Sequence, residues 1–309
     1  MNRRLLYIIN PISGTRTKRD LQQLIEKRTS TENIPFQVFP SVASGDYSFL
    51  LPIIAEQKIT DVVIAGGDGT VSQVVNSLMN CNVNFGIIPC GSGNGLANAA
   101  NIPKQPAKAL ELLFSGKPSL TDGFYINNQF ACMLCGLGFD AKVAHAFAEQ
   151  PHRGLTTYVK QVVKNFFSAK PYQFELQLGD NKLQVDAFFI SIANSNQFGN
   201  NFTIAPQASL TDGLLDIVIV TNQGKLSLLL QVFKQIRGKN KLLAESVTVD
   251  KKIYPDGAAG RGIIYFQTEK LLIRNIAQAP LHIDGDPAET PDEVKIEVKK
   301  RCFRLIQPA

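Results

Sequence analysis

Residues 62–70 read Val-Val-Ile-Ala-Gly-Gly-Asp-Gly-Thr, and this segment restricts the possible folds more than any other. Four consecutive apolar residues, mostly β-branched, suit a strand buried on both faces. The glycines end that strand, and Thr70–Met79 then carries Val71, Val74, Val75 and Leu78 at helical spacing. A buried strand, a glycine loop and an amphipathic helix form half of a βαβ unit, which requires parallel neighbours. Leu5–Ile9, Phe36–Phe39 and Phe85–Ile88 read as those strands. Leu21, Leu24 and Ile25, then Phe49–Ala55, Gly95–Ala100 and Ala107–Phe114, read as helices. The alternation predicts a doubly wound parallel α/β domain over residues 1–122.

The pattern changes after about Thr121. Phe130–Leu134, Phe174–Leu178, Val185–Ala193, Leu215–Val220, Ser246–Val249, Ile263–Phe266 and Leu271–Ile273 are strand-like, with one helical stretch from Ala141 to Phe167. This predicts a β-sandwich or curved antiparallel sheet over residues 123–289. The last strand, Val294–Val298, fits either unit, so residues 290–309 are candidates to complete the first. A chain of 309 residues has room for two cores.

Composition limits the partners. With 44% hydrophobic and 19% charged residues the chain is globular, and no apolar run approaches the ~20 residues of a membrane-spanning helix. The apolar run behind Arg3 and Arg4 is too short for a secretory signal. Five scattered cysteines suit a reducing cytoplasm better than a disulfide framework. The net charge of +6 favours anionic partners without choosing among them.

Three glycine-rich loops follow strands of the first domain: Asn10-Pro11-Ile12-Ser13-Gly14, Gly66-Gly67-Asp68-Gly69-Thr70 and Gly91-Ser92-Gly93-Asn94-Gly95. In a parallel sheet the carboxyl ends of the strands share one edge, where ligands bind. Glycines let backbone N–H groups approach an anion, and a following helix N-terminus adds positive potential. Together the loops predict a phosphate cradle. Asp68 inside it would repel phosphates unless a cation or a proton transfer engages it. It therefore points to phosphoryl transfer, through Mg²⁺ organisation or general-base help, or else it is a helix N-cap. No Walker P-loop, G-x-G-x-x-G fingerprint or protein-kinase signature is present.

At these motifs the chain resembles the diacylglycerol kinase catalytic-domain family, which includes bacterial lipid kinases and the sphingosine and ceramide kinases. The resemblance continues through Gly138-Phe139-Asp140, Arg153-Gly154-Leu155, Ala193-Asn194, Ala205-Pro206, Thr211–Asp216 and Ile283–Pro287. It implies an NAD kinase- or phosphofructokinase-like α/β domain, a β-sandwich domain, and ATP and lipid meeting in the cleft between them. It also implies nucleotide contacts from Asn10, Ser13, Gly14 and Ser41, with the phosphates held by Gly66, Gly67, Asp68, Gly69 and Thr70. The third loop, Gly91, Ser92, Gly93 and Asn94, would add further contacts, with Ser92 in the hydroxyl position.

Asp286 stands where many members carry a glutamate proposed as catalytic base. A structural Mg²⁺ is implied on the Asp212 carboxylate and the carbonyls of Ser209 and Leu214; an Asp-Gly turn is the plainer reading of that segment. The third loop is closer to the sphingosine kinase pattern than to the diacylglycerol type, so a long-chain base stands beside diacylglycerol as acceptor. An NAD kinase-like phosphotransferase and a catalytically silent nucleotide- or lipid-binding regulator are the alternatives.

Expected partners are ATP, Mg²⁺, a lipid substrate and, transiently, an anionic membrane surface; a homodimer is allowed and nucleic acid is not expected. The membrane contact would use the basic, leucine-bearing segment Lys225–Lys252, placing a cytoplasmic protein peripherally on the bilayer. Cys132-x-x-Cys135 reads as buried thiols, and His282 as a packed or solvated side chain near the Asp284 turn.

Overall fold

The fold was analysed on a computed structural model that describes residues 3–13, 18–148, 150, 164–165, 169–196, 205–221 and 263–309. Gly14, the segment 153–158, the basic segment 225–252, the strand expected at 246–249 and most of the helix expected over 141–167 lie outside these residues.

Strand β1 (Leu5–Ile9) is wholly buried, as an apolar run flanked by parallel neighbours requires. Helix α1 (Lys18–Thr31) buries Leu21, Ile25 and Thr29, spaced four apart, and the Tyr7 hydroxyl meets Thr29 Oγ1 at 2.7 Å. Strand β2 (Phe36–Pro40) and a 3₁₀ turn (Ser48–Leu50) lead into α2 (Leu51–Glu56). Strand β3 (Asp61–Gly66) is buried along its length. Helix α3 (Asp68–Leu78) turns Val71, Val74, Val75 and Leu78 inward. It starts two residues earlier than the sequence pattern suggests, because Asp68 and Gly69 already form its first turn. Strand β4 (Asn84–Pro89), α4 (Gly95–Ala99) and α5 (Pro106–Ser115) follow, with Pro106 suited to the first turn of α5.

The parallel order is β2-β1-β3-β4, with Ile9 beside Ala65 and Gly66 beside Pro89. All four strands end on one edge. The order reverses between β1 and β3, and in open α/β sheets such a switch point is where ligands bind.

The second unit contains β5 (Lys117–Ile126), β6 (Gln129–Ala131), β7 (Leu134–Gly138), α6 (Phe139–Ala148), β8 (Tyr172–Leu178), β9 (Asn181–Ala193) and β10 (Leu215–Thr221). It continues with β11 (Ile263–Thr268), β12 (Lys270–Arg274), β13 (Leu281–Ile283), β14 (Asp286–Ala288) and β15 (Glu293–Gln307). The first half of β9 pairs β8, and its second half lies between β7 and β10. One long strand thereby serves both layers of a sandwich. Phe174, Leu176, Ile190, Ile192, Ile217, Ile273 and Ile296 lie in the core between those layers.

Strands β5 and β15 belong to both cores. They pair from Lys117↔Gln307 to Ile126↔Ile296, with a bulge between Lys299 and Phe303. Before the bulge, Val294, Ile296 and Val298 enter the sandwich core; after it, Phe303, Leu305 and Ile306 join the α/β core beside β4. Arg301 has φ +49° at the bulge. The buried Asp122 carboxylate accepts the amide of Arg301 at 2.6 Å and that of Gly213 at 2.7 Å, holding the bend.

The strand expected over 130–134 is interrupted: β6 ends at Ala131 and β7 begins at Leu134. The amides of Cys132, Met133 and Leu134 turn away from the ladder and donate to the carboxylate of Asp284.

Candidate active site

The three glycine loops and Ser41 lie on the same sheet edge, because each follows one of the four parallel strands. Hydrogen bonds tie them together. Asn10 Nδ2 donates to Thr70 Oγ1 at 2.8 Å, joining the first loop to the second, while Asn10 Oδ1 accepts the Ile12 amide. Ser13 Oγ donates to the Asn10 carbonyl at 3.2 Å. The Ser41 amide donates to the Ile9 carbonyl at 2.9 Å, anchoring the loop after β2 beside Asn10.

The second and third loops touch backbone to backbone. A Cβ added to Gly91 would lie 2.7 Å from the Cα of Gly67, so this contact requires glycine. Asn94, with φ +53°, closes its own loop: Nδ2 donates to the Gly91 carbonyl and Oδ1 accepts the Gly91 amide. Gly93 is held through its carbonyl by Asn98 Nδ2, and Ser92 is left exposed at the tip.

Asp68 does not cap its own helix; Gly67 occupies that position. The Asp68 carboxylate instead caps α4 across the cleft, accepting the Gly95 amide at 2.9 Å and the Leu96 amide at 3.1 Å. Burial pushes its pKa up to about 6, with the charges of Asp284 and Asp286 adding to the rise and the two amide bonds opposing it.

Asp286 comes from the second unit. β13 and β14 form a hairpin whose two-residue loop, Asp284-Gly285, has φ +49° and +86°. Positive φ at both positions is the type I′ geometry that Asp-Gly favours. Asp286, the first residue after the turn, is exposed, and its Oδ2 lies so close to Gly69 that a Cβ there would collide with it. The expected turn is present, but Asp284 itself is only 7% exposed.

Asp284 and Ser72 had no assigned part in the sequence reading. Ser72 is a small polar residue inside the Val71, Val74, Val75 stripe of α3, and that interruption was its one visible signal.

The Asp212 segment lies apart from the loops, next to the Asp122 bend. Asp212 Oδ1 accepts the Leu214 amide at 3.0 Å, and Ser209 Oγ accepts the Thr211 amide at 3.3 Å. Burial raises the Asp212 pKa, and the neighbouring Asp122 charge adds to the rise. Among the described residues no three His, Cys, Asp or Glu side chains converge as a metal centre. Cys132 and Cys135 are buried and free. His282 Nε2 packs 3.3 Å from Asp140 Oδ2 at the head of α6.

A switch point flanked by tethered glycine loops, with a carboxylate of the β-sandwich against the second of them, is the arrangement of a phosphotransferase of the NAD kinase-like architecture. Residues 4–125 match the family described as diacylglycerol kinase catalytic domain, and residues 134–251 match the YegS C-terminal NAD kinase beta sandwich-like domain. Residues 4–125 thus carry a diacylglycerol kinase catalytic domain and residues 134–251 a YegS-type C-terminal domain, and the chain is a kinase.

A Chromohalobacter salexigens relative named probable lipid kinase YegS-like is 26% identical over 249 residues, covering 79% of this chain and 75% of that protein. The Escherichia fergusonii probable lipid kinase YegS is 28% identical over 211 residues, covering 66% of this chain and 70% of that protein. The crystal structure of a diacylglycerol kinase from Bacillus anthracis str. Sterne shares the fold, with a TM-score of 0.70 at 19% identity over 98% of this chain and 96% of that one.

Proposed function

We propose that the chain transfers the γ-phosphoryl group of ATP to a lipid hydroxyl, of diacylglycerol or a sphingoid long-chain base. The observation that carries this reading is the contact of Asp286 with Gly69: a carboxylate of the sandwich unit meets the head of the phosphate loop. On this reading residues 1–122 and the end of β15 bind nucleotide, and residues 123–289 present the lipid. Asn10, Ser13 and Ser41 contact the nucleoside side, a role that the family resemblance extends to Gly14. Gly66, Gly67, Gly69, Thr70, Gly91, Ser92, Gly93 and Asn94 surround the phosphates, with the N-terminus of α3 supplying positive potential.

Asp286 accepts the proton of the attacking hydroxyl as its oxygen bonds to the γ-phosphorus, while the bond from that phosphorus to the bridging oxygen breaks and ADP leaves. Most of the acceleration comes from positioning and charge stabilisation, since an alcohol keeps its proton until the transition state. Asp68 fixes the third loop through α4, and its carboxylate is the hard oxygen donor that would hold a cation beside the phosphates. Mg²⁺ held by Asp68 would supply neutralisation of the phosphate charge. The turn at 209–214 suits a second, structural Mg²⁺. The exposed Asp212 carboxylate and the carbonyls of Ser209 and Leu214 are hard oxygen donors near a second carboxylate, the buried Asp122. Among the described residues no helix is long and apolar enough to cross a membrane, and contact with an anionic bilayer is the proposed route to the acceptor.

Labelled ATP incubated with diacylglycerol, a sphingoid base, ceramide and phosphatidylglycerol tests the reading, with products identified by mass. One phosphorylated lipid is the expected result. Formation of NADP from NAD without lipid phosphorylation, or no ATP turnover with any acceptor, would overturn it.

A further inference from the structure

The hairpin that carries Asp286 is fastened by a buried carboxylate. Asp284 Oδ1 accepts the amides of Met133 and Leu134, each at 3.0 Å. Its Oδ2 accepts the Cys132 amide at 3.1 Å and the hydroxyl of Ser72. The Ser72 oxygen in turn accepts the Cys132 amide at 3.2 Å, and the Asp284 amide donates to the Leu134 carbonyl at 2.8 Å. The backbone segment 132–134 and α3 therefore converge on one side chain.

A type I′ turn does not demand this. Asparagine or glycine serves that position as well, without the cost of burying a charge. The carboxylate costs several kcal/mol to desolvate, and the four donors around it offset that cost only while all of them stay in place.

The clamp also lies on the face of α3 that meets the reaction centre. Gly69 and Ser72 are three residues apart, so they neighbour each other on that helix. Asp286 rests on the first and Asp284 on the second. Two contacts from one hairpin to one helix fix both the separation and the angle of the hairpin, where a single contact would allow it to pivot.

We infer that Asp284 and Ser72 are positioning residues for phosphoryl transfer: their hydrogen bond registers the Asp286 hairpin against the phosphate loop. The inference rests on the reading of Asp286 as base. Neither residue touches the reacting atoms. Asp284 is saturated by its four donors, and Ser72 by Asp284 and Cys132.

The test uses the full chain, labelled ATP and mixed micelles of diacylglycerol and a sphingoid base, with variants Ser72→Ala, Asp284→Asn, Asp286→Asn and the double variant Ser72→Ala/Asp286→Asn. Loss of registration predicts about a 10-fold lower kcat in Ser72→Ala with the KM for ATP within twofold. The double variant should be no slower than Asp286→Asn alone, because a misplaced base costs nothing once the base is gone. Multiplying losses, or a kcat loss matched by a rise in the KM for ATP, would overturn the positioning role while leaving the base intact. Asp286→Asn at the unmodified rate would overturn the base and the inference together. Asp284→Asn should show the same pattern with a larger loss; should it fail to fold, the Ser72→Ala cycle decides alone.

Discussion

A methyl group added at Gly69 probes the meeting point of the two units with little disturbance to either. Gly69 lies in the first turn of α3 and has no positive φ, so alanine fits its backbone. Alanine also restricts the unfolded chain, and Gly→Ala at a compatible helical site adds about 0.5–1 kcal/mol of stability. The new Cβ collides only with the Asp286 carboxylate, which must retreat by about 1 Å to reach ordinary van der Waals distance. A side chain at the end of an exposed hairpin can make that move at small cost, so the fold is retained.

The chemistry is less tolerant, since a misplacement of about 1 Å can cost on the order of 100-fold in rate. Gly69→Ala should therefore melt at the same temperature or slightly higher, yet turn over labelled ATP and lipid about 100-fold more slowly. A KM for ATP within a few-fold of the parent would place the loss on the acceptor side and not in the phosphate loop. A variant retaining more than a third of the parental kcat would refute the argument that the position of Asp286 governs transfer.

Thr70→Val keeps the shape of the side chain but removes the acceptor of Asn10 Nδ2; the unpaired amide should cost about 1 kcal/mol and raise the KM for ATP several-fold, read from initial rates. Burial pushes the Asp216 pKa up to about 6, above its unfolded value, although the hydroxyl of Tyr265 and the amide of Gln267 donate to it. The folded state thus holds that proton more tightly, and the associated stability, up to about 3 kcal/mol, is lost as pH rises from 4 through 6. Urea midpoints across that window should fall less steeply in Asp216→Asn. Gly136→Ala would drive a methyl into the buried Asp140 carboxylate and to within 2.6 Å of His282 Nε2; it should lower the unfolding free energy by about 1–3 kcal/mol in urea titration.

The local parts of this fold were legible because local rules decide them. The apolar run of β3 and the valine stripe of α3 announce a strand and a helix wherever they occur, and glycines between them announce a loop. Convergence of the loops followed from parallel topology alone. Long-range hydrogen bonds were not legible. Nothing near Cys132 or Met133 shows that their amides serve a carboxylate about 150 residues away, so a break in the sheet read as one continuous strand. Asp68 looked like a cap for the helix it begins, whereas it caps α4, whose first amides lie 27 and 28 residues further along. The division of β15 between two cores was hidden in the same way, since a period-two pattern reports which faces are buried and not what buries them.

The paired strands β5 and β15 run through both cores and are held at their bulge by Asp122. A protease nick or an expression boundary placed near residue 122 would strip each half of a rib it needs, leaving raw sheet edges in both fragments. The two halves are therefore poor candidates for separate production. Any movement of one half against the other would have to bend this common spine, since no loose tether joins them there.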